Sequence, residues 1–247
     1  MLDPETKRKL RELKVPAMIE AVEMLDSDAS FADLPFSERM RVAVDYAYQE
    51  MENARVARLL RNAHLRLPQA EIANIDYDGR PLDRALIAEL ATCQFVASAT
   101  DVIAEGFTGT GKSHLACALG KQACKRGIRT LYVRMPDMLA YRAEKMSAGW
   151  PEKKVLNRYS AVKVLILDEF LIDKPTTDQM HFLLELTERR YDSTSTIFCS
   201  QYPTDEWHRR MGGGAHAESI MDRIVHNAVR IQMGDVNMRE RTMRKCT

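Results

Sequence analysis

Residues 106–113 read GFTGTGKS and fit the pattern G-x-x-x-x-G-K-[ST] without a mismatch. The stretch follows a short apolar run and precedes a helical pattern, which is the context that a phosphate-binding loop requires. Its members are Gly106, Phe107, Thr108, Gly109, Thr110, Gly111, Lys112 and Ser113. Glycines allow successive N–H groups to turn toward phosphate oxygens. We therefore predict nucleotide binding, with Lys112 at the β- and γ-phosphates and Ser113 at Mg²⁺.

A second motif, VLILDE at residues 164–169, is an apolar strand that ends in two acids. The carboxyl ends of buried parallel strands form the edge of a sheet where ligands bind. Asp168 is predicted to hold Mg²⁺, and Glu169 to orient and deprotonate the attacking water. The alternative is a strand that merely ends in solvated acids. The phosphate loop upstream favours ATP hydrolysis, with ATP and Mg²⁺ as cofactors.

Short apolar runs alternate with helical stretches from residue 101 onward, which predicts an α/β fold with a parallel sheet flanked by helices. The predicted strands cover residues 101–105, 130–134, 162–167, 196–200 and 229–233. Helices are predicted to begin near Gly111, Pro136, Thr176, Thr204 and Ala217. The sheet and its helices are assigned to a domain of residues 68–247.

The first part of the chain reads as helices only, and we assign residues 1–67 to a small all-helical N-terminal domain. Asp3-Pro4 predicts a helix start, with Asp3 as the N-cap. A long helix is predicted over residues 37–65. Its apolar residues at helical spacing include Met40, Val44, Ala47, Tyr48 and Met51.

Three arginines, Arg55, Arg58 and Arg61, recur every third residue on this long helix. They lie on the side of the helix opposite the apolar set that begins at Val56. Such a stripe of arginines can bind a phosphate backbone. A solvated helix face is the alternative. We take the stripe as the candidate contact with a nucleic-acid phosphate backbone.

Three further positions are candidates for the site. Ser200-Gln201 ends the strand predicted over residues 196–200, and a polar side chain there would lie between the phosphate loop and Asp168, where it could touch the γ-phosphate or its water. A simple boundary between strand and loop is the alternative. Arg223 follows in a helical pattern and could reach the ATP of a neighbouring subunit, the alternative being a salt bridge with Asp222 or Glu218. His114 is grouped with the phosphate loop, although a structural role suits it better than a catalytic one.

Composition is that of an ordinary soluble globular protein, with 45% hydrophobic residues, 29% charged residues and a net charge of +1. The five cysteines include no C-x-x-C pair, which argues against a zinc knuckle or a dithiol redox site. No apolar run is long enough to span a bilayer, and the charged N-terminus lacks a signal-peptide core. A cytoplasmic location without membrane partners is expected.

Taken together, these motifs resemble those of the IstB-like ATPases, the helper proteins of a class of bacterial insertion-sequence transposases. The resemblance runs through almost the whole chain. It rests on LKVPAM at 13–18, RVARLLRNAHLRL at 55–67, IDY at 75–77, GFTGTGKSHLACALG at 106–120, LDEF at 167–170, SQYP at 200–203 and MDRIVHNA at 221–228.

The resemblance implies an AAA+ fold, related to that of DnaC-type helicase loaders. It implies assembly of a homo-oligomer on duplex DNA in the ATP state and delivery of a target site to a cognate transposase. The Lys112, Ser113, Asp168 and Glu169 positions carry over as ATP and magnesium residues. Arg223 takes the place of an inter-subunit arginine, and Arg239 matches a further C-terminal arginine. No helical lid is expected after the last strand.

Three positions depart from the family pattern. Phe107 replaces a usual proline, Glu105 replaces an apolar residue at the end of the first strand, and Leu171 replaces a usual glycine. Two other functions compete with the transposition helper: a helicase loader, and an ATP-gated interaction module without hydrolysis. The intact Asp168-Glu169 pair argues against the second of these.

Overall fold

The computed structural model describes residues 2–238 and 240–241, and the chain divides into two compact units, Met1–Arg58 and Leu59–Thr247. The sequence analysis places the division after residue 67. Residues 59–67 instead fall in the unit that contains the sheet, where the Tyr132 N–H donates to the Ala63 carbonyl at 2.8 Å. That hydrogen bond fixes the chain after the long helix against a strand.

The first unit is helical, as expected. Its elements are α1 (Pro4–Glu12), α2 (Ala17–Ser27), a 3₁₀ turn (Ala29–Phe31) and the start of α3 (Phe36–Asn62). Asp3 caps α1 by accepting hydrogen bonds from the N–H groups of Glu5 and Thr6, which confirms the predicted helix start.

The core of this unit does not use the apolar positions that helical spacing indicates. Ala21, Leu25 and Ala43 are buried together. Val44, Tyr48 and Met51 are instead 50%, 61% and 54% exposed. Because the small Ala43 lies against α2, the face of α3 that packs is rotated away from the larger side chains. Helical spacing therefore predicts the helix itself but not the face of α3 that packs.

The second unit is a five-stranded, fully parallel sheet with the strand order β2-β3-β4-β1-β5. Its strands are β1 (Asp101–Glu105), β2 (Thr130–Arg134), β3 (Val164–Asp168), β4 (Ser195–Ser200) and β5 (Ala228–Gln232). Each predicted strand is confirmed to within two residues. The order places β4 between β1, which leads into the phosphate loop, and β3, which carries Asp168.

Helices cover both faces of this sheet and give it two apolar cores. They are α4 (Arg84–Ala91), α5 (Gln94–Ala97), α6 (Lys112–Lys125), α7 (Met135–Ser147), α8 (Glu152–Ser160), α9 (Thr177–Arg190), α10 (Thr204–Arg210) and α11 (Gly214–Val225), with a 3₁₀ turn at Ile72–Asn74. Helix α8 was not predicted from the sequence, although this helix buries Val155, Leu156 and Tyr159. No helix within the described part of the chain is long and apolar enough to cross a membrane.

Candidate active site

The phosphate loop connects β1 to α6, as predicted. Gly109 and Gly111 have φ values of +88° and +89°, in the region that favours glycine. Lys112 is the first residue of α6, and its Nζ donates to the Phe107 carbonyl at 2.8 Å and to the Gly106 carbonyl. The loop therefore holds the ammonium group at the helix N-terminus, where backbone N–H groups also favour an anion.

Ser113 and Asp168 meet beside this loop. The Ser113 hydroxyl donates to Asp168 Oδ2 at 2.6 Å, and the Tyr132 hydroxyl donates to the same oxygen at 2.6 Å. Burial raises the pKa of Tyr132 well above its ordinary value, so its hydroxyl remains a donor. A hydroxyl and a carboxylate are oxygen ligands of the kind that Mg²⁺ prefers, so this pair fits a magnesium ion.

Glu169 follows Asp168 in a left-handed backbone conformation, with φ at +54°. Its Oε2 accepts a hydrogen bond from Arg134 at 2.6 Å, and its Oε1 lies 3.4 Å from Arg66 Nη1. The Arg134 guanidinium lowers the pKa of Glu169 below its ordinary value. The carboxylate is thus ionised at neutral pH, the state in which it can accept a proton from water.

The two candidates at the end of β4 differ in what they contact. Ser200 is fully buried, and its hydroxyl donates to the Phe170 carbonyl and accepts from the Tyr202 N–H. Gln201 Oε1 accepts a hydrogen bond from Thr108 of the phosphate loop at 2.8 Å. Of the two candidates, Gln201 therefore lies beside the loop, whereas the hydroxyl of Ser200 is engaged with backbone groups.

A cavity of about 730 Å³ adjoins the phosphate loop. Lys112, Ser113 and His114 line it together with Arg66, Asp76 and Met238. Arg80 joins the segment after the 3₁₀ turn to the loop, since it donates to the carbonyls of Asp76 and Thr110. Burial lowers the pKa of His114, with a smaller contribution from Arg80, so the imidazole is neutral at neutral pH.

The segment that follows β5 packs against the phosphate loop at Gly109. The Met238 N–H donates to the Gly109 carbonyl at 2.9 Å, and a side chain at Gly109 would collide with Asn237. Glycine is therefore needed at this position for close packing as well as for its backbone angle. Arg239, which the family resemblance points to, lies outside the described residues.

The arginines predicted to contact a neighbouring subunit's ATP or DNA have solvent-accessible side chains. Arg223 forms a salt bridge with Glu188 of α9 and donates to the Ser219 carbonyl at 2.9 Å. Its ion-pair partner is thus neither Asp222 nor Glu218. Arg55, Arg58 and Arg61 are all exposed on α3, and Arg55 lies 3.4 Å from Glu52.

Two departures from the family pattern have visible structural consequences. Glu105 is buried, and its carboxylate accepts hydrogen bonds from the Thr204 N–H at 2.9 Å and from the Gln232 side chain. Leu171 has a φ of +56°, the conformation that the usual glycine would favour. Phe107 is 69% exposed and leaves the glycine geometry of the loop intact.

The sequence analysis assigns no role to Tyr132, Arg134 or Arg66, although all three lie at the site. The signal for the first two is strand pairing: Arg134 ends β2 in register with Asp168 on β3, and Tyr132 shares its face two residues earlier. The sequence alone does not reveal that β2 and β3 are neighbours. In the sequence, Arg66 belongs to the arginine-rich segment 55–67 at the end of the predicted long helix. Nothing in that segment indicates that Arg66 lies beside the phosphate loop.

Comparison with known proteins finds a family model and relatives that match nearly the whole chain. Residues 8–246 match the family described as IstB-like ATP binding protein. A putative insertion sequence ATP-binding protein of Sinorhizobium fredii is 34% identical over 239 residues, which cover 97% of this chain and 96% of that protein.

Solved structures show the same fold at low sequence identity. AMPPCP-bound DnaA from Aquifex aeolicus is 20% identical with a TM-score of 0.60, and the match covers 74% of this chain and 56% of that one. A DnaC helicase loader is 21% identical with a TM-score of 0.53, and the match covers 66% of this chain and 96% of that one. These likenesses establish the AAA+ P-loop architecture.

Proposed function

We propose that this chain, which belongs to the IstB-like ATP-binding protein family, is an ATP-dependent DNA-binding regulator of transposition. It is an ATPase. Its proposed role is to assemble on duplex DNA in the ATP state and to deliver target sites to a cognate transposase, with hydrolysis controlling the assembly. The observation that carries the ATP-dependent part of the proposal is the convergence of Lys112, Ser113, Asp168 and Glu169 at one edge of the sheet. The role in transposition is supported by the family match.

The chemistry divides among these side chains. Lys112 and the backbone N–H groups of the loop bind the phosphates of ATP. Mg²⁺ held by Ser113 and Asp168 would neutralise charge on the phosphates. Tyr132 orients the Asp168 carboxylate through its 2.6 Å hydrogen bond. Glu169 is the proposed general base for the attacking water. Gln201, which accepts a hydrogen bond from Thr108 of the loop, is the candidate for contact with the γ-phosphate or its water.

Arg223 is our candidate for an arginine that acts on the ATP of a neighbouring subunit. Its guanidinium lies on α11 in a salt bridge with Glu188. An arginine delivered between subunits would make hydrolysis depend on assembly. A homo-oligomer is therefore part of the proposal.

The proposed DNA contact is the exposed stripe of Arg55, Arg58 and Arg61. Arginines repeated on one helix face suit the phosphate backbone rather than base edges. A regulator that offers target sites to a transposase benefits from such tolerance of sequence. We also keep the predicted cytoplasmic location, where DNA and the transposase would be met.

A replicative helicase loader is the second candidate function. It is suggested by the fold that the chain shares with a DnaC helicase loader, which is 21% identical. The relative at 34% identity is described as an insertion sequence ATP-binding protein, which favours the role in transposition.

Co-purification separates the two candidates. Tagged protein would be mixed with ATP, duplex DNA and either the cognate transposase or a hexameric replicative helicase. The proposal expects ATP-dependent recovery of the transposase with the DNA, and loss of that recovery in Lys112→Ala. Recovery of the helicase but not the transposase would support the loader instead.

A further inference from the structure

Arg66 is held at the edge of the sheet by the residues on either side of it. The Ala63 carbonyl accepts a hydrogen bond from the Tyr132 N–H of β2 at 2.8 Å, and Ala63 is fully buried. Leu65 and Leu67 pack against the core that contains α6. The backbone around Arg66 is therefore fixed to the sheet unit, which sets the place from which its partly exposed side chain extends.

That place is the phosphate end of the nucleotide cavity. Arg66 lines the cavity together with Lys112 and Ser113. Its Nη1 lies 3.4 Å from Glu169 Oε1, and the Tyr132 hydroxyl beside it raises the pKa of Arg66. A γ-phosphate that contacts Lys112, with its attacking water beside Glu169, would lie within reach of this guanidinium.

The contact with Glu169 does not by itself account for the position of Arg66. Arg134 already donates to the other carboxylate oxygen at 2.6 Å, whereas the Arg66 contact is longer than an ordinary hydrogen bond. A guanidinium carries five N–H donors arranged to fit an oxyanion. Beyond this long contact and the neighbouring Tyr132 hydroxyl, the guanidinium has further N–H donors with which it can bind phosphate oxygens.

We propose that Arg66 binds the γ-phosphate of ATP, exchanging its contact with Glu169 for one with the phosphate. The arginine then distinguishes ATP from ADP, and its departure leaves Glu169 to the attacking water and to Arg134. This inference rests on the proposed ATPase function. It gives Arg66, which follows the end of α3, a direct part in the nucleotide site.

The test is the ratio of ATP affinity to ADP affinity, measured by calorimetry with a non-hydrolysed ATP analogue and with ADP. Arg66→Ala should weaken binding of the analogue by about tenfold or more, the effect of removing one charge-assisted hydrogen bond. ADP affinity should stay unchanged, which also shows that the variant is folded. Arg66→Lys should weaken binding less than Arg66→Ala.

Arg129→Ala is the matched control, because Arg129 is an exposed arginine that precedes the opposite end of β2. Equal losses of affinity for the analogue and ADP, or no change in either, would overturn the assignment of Arg66 to the γ-phosphate. Failure of the wild-type protein to bind either nucleotide would instead refute the proposed function. The two failures are therefore distinguishable.

Discussion

Glu169 is the residue on which hydrolysis, as opposed to binding, depends in this account. Glu169→Gln keeps the size of the side chain but removes the base, so we expect the turnover rate to fall by about 100-fold or more. Nucleotide affinity should remain close to that of the wild type, because the phosphate loop is unchanged. Steady-state turnover and a nucleotide titration measure the two quantities.

Glu89→Gln is the control for that variant, since Glu89 is exposed on α4. Its turnover should match the wild type. Near-normal turnover in Glu169→Gln would mean that another group activates the water.

The left-handed backbone at Leu171 is expected to reverse the usual order in which alanine is tolerated better than glycine at a buried position. Its side chain is fully buried at a φ of +56°. Removing a buried leucine costs about 2–5 kcal/mol, so both Leu171→Ala and Leu171→Gly should destabilise the protein. Glycine, however, should be less harmful than alanine, because a left-handed conformation costs other residues about 1–2 kcal/mol.

Leu165, fully buried in β3, provides the comparison. There alanine should be less harmful than glycine, since glycine weakens the interior of a strand. Urea denaturation of the four variants gives the two orders of stability. The same order at both positions would contradict a strained backbone at Leu171.

At the scale of elements, α11 is proposed to present Arg223 to a neighbouring subunit. Arg223→Ala should reduce hydrolysis, and mixing it with Lys112→Ala subunits should restore part of the activity. In such a mixture an intact Arg223 can face an intact phosphate loop. ATPase activity of the mixture, compared with each variant alone, measures the recovery.

Because Arg223 forms a salt bridge with Glu188, a Glu188 variant can separate a structural role of Arg223 from a role between subunits. If Arg223 only joins α11 to α9, Glu188→Ala should impair hydrolysis as Arg223→Ala does. If Arg223 acts between subunits, Glu188→Ala should retain activity. No recovery in assemblies shown to be mixed would favour the structural role.

The basic stripe on α3 gives a prediction about salt. Binding to duplex DNA should weaken as salt rises, because neutralised phosphates release counterions. Arg58→Ala should flatten the slope of log affinity against log salt by about 0.9 for each phosphate that the variant no longer neutralises. The affinity should fall similarly on two unrelated duplexes, because arginines that bind phosphates read no sequence information.

Arg41→Ala is the control on the same helix, since Arg41 is also exposed. Binding with the same slope and affinity in wild type and Arg58→Ala would show that the stripe is a solvated surface. The DNA-binding surface would then have to lie elsewhere.

For the molecule as a whole, local patterns predict the individual strands and the phosphate loop because each depends on residues that are close together in the chain. The loop needs glycines next to a lysine and a serine, and each strand is a short apolar run. All of these are visible in the sequence. The exposure of the apolar side chains of α3 is not predictable in this way, because helical spacing does not say which face a partner element covers.

The contacts of Tyr132, Arg134 and Arg66 depend on tertiary structure. They require β2 and β3 to be neighbours and the chain after α3 to lie on β2. No spacing rule relates residues that are 35 or 103 positions apart in the chain, as Arg134 and Arg66 are from Glu169. The phosphate loop and the Asp168-Glu169 pair could be located from the sequence, whereas the side chains that contact them from β2 and from the chain after α3 could not.

The central claim is that ATP binding at the phosphate loop controls assembly on duplex DNA. The most direct measurement is particle size, by analytical ultracentrifugation, with and without duplex DNA and a non-hydrolysed ATP analogue. We expect the largest particles only when both are present, and none of them in Lys112→Ala. Particles of one size under all four conditions, from wild-type protein that binds the analogue, would contradict the account.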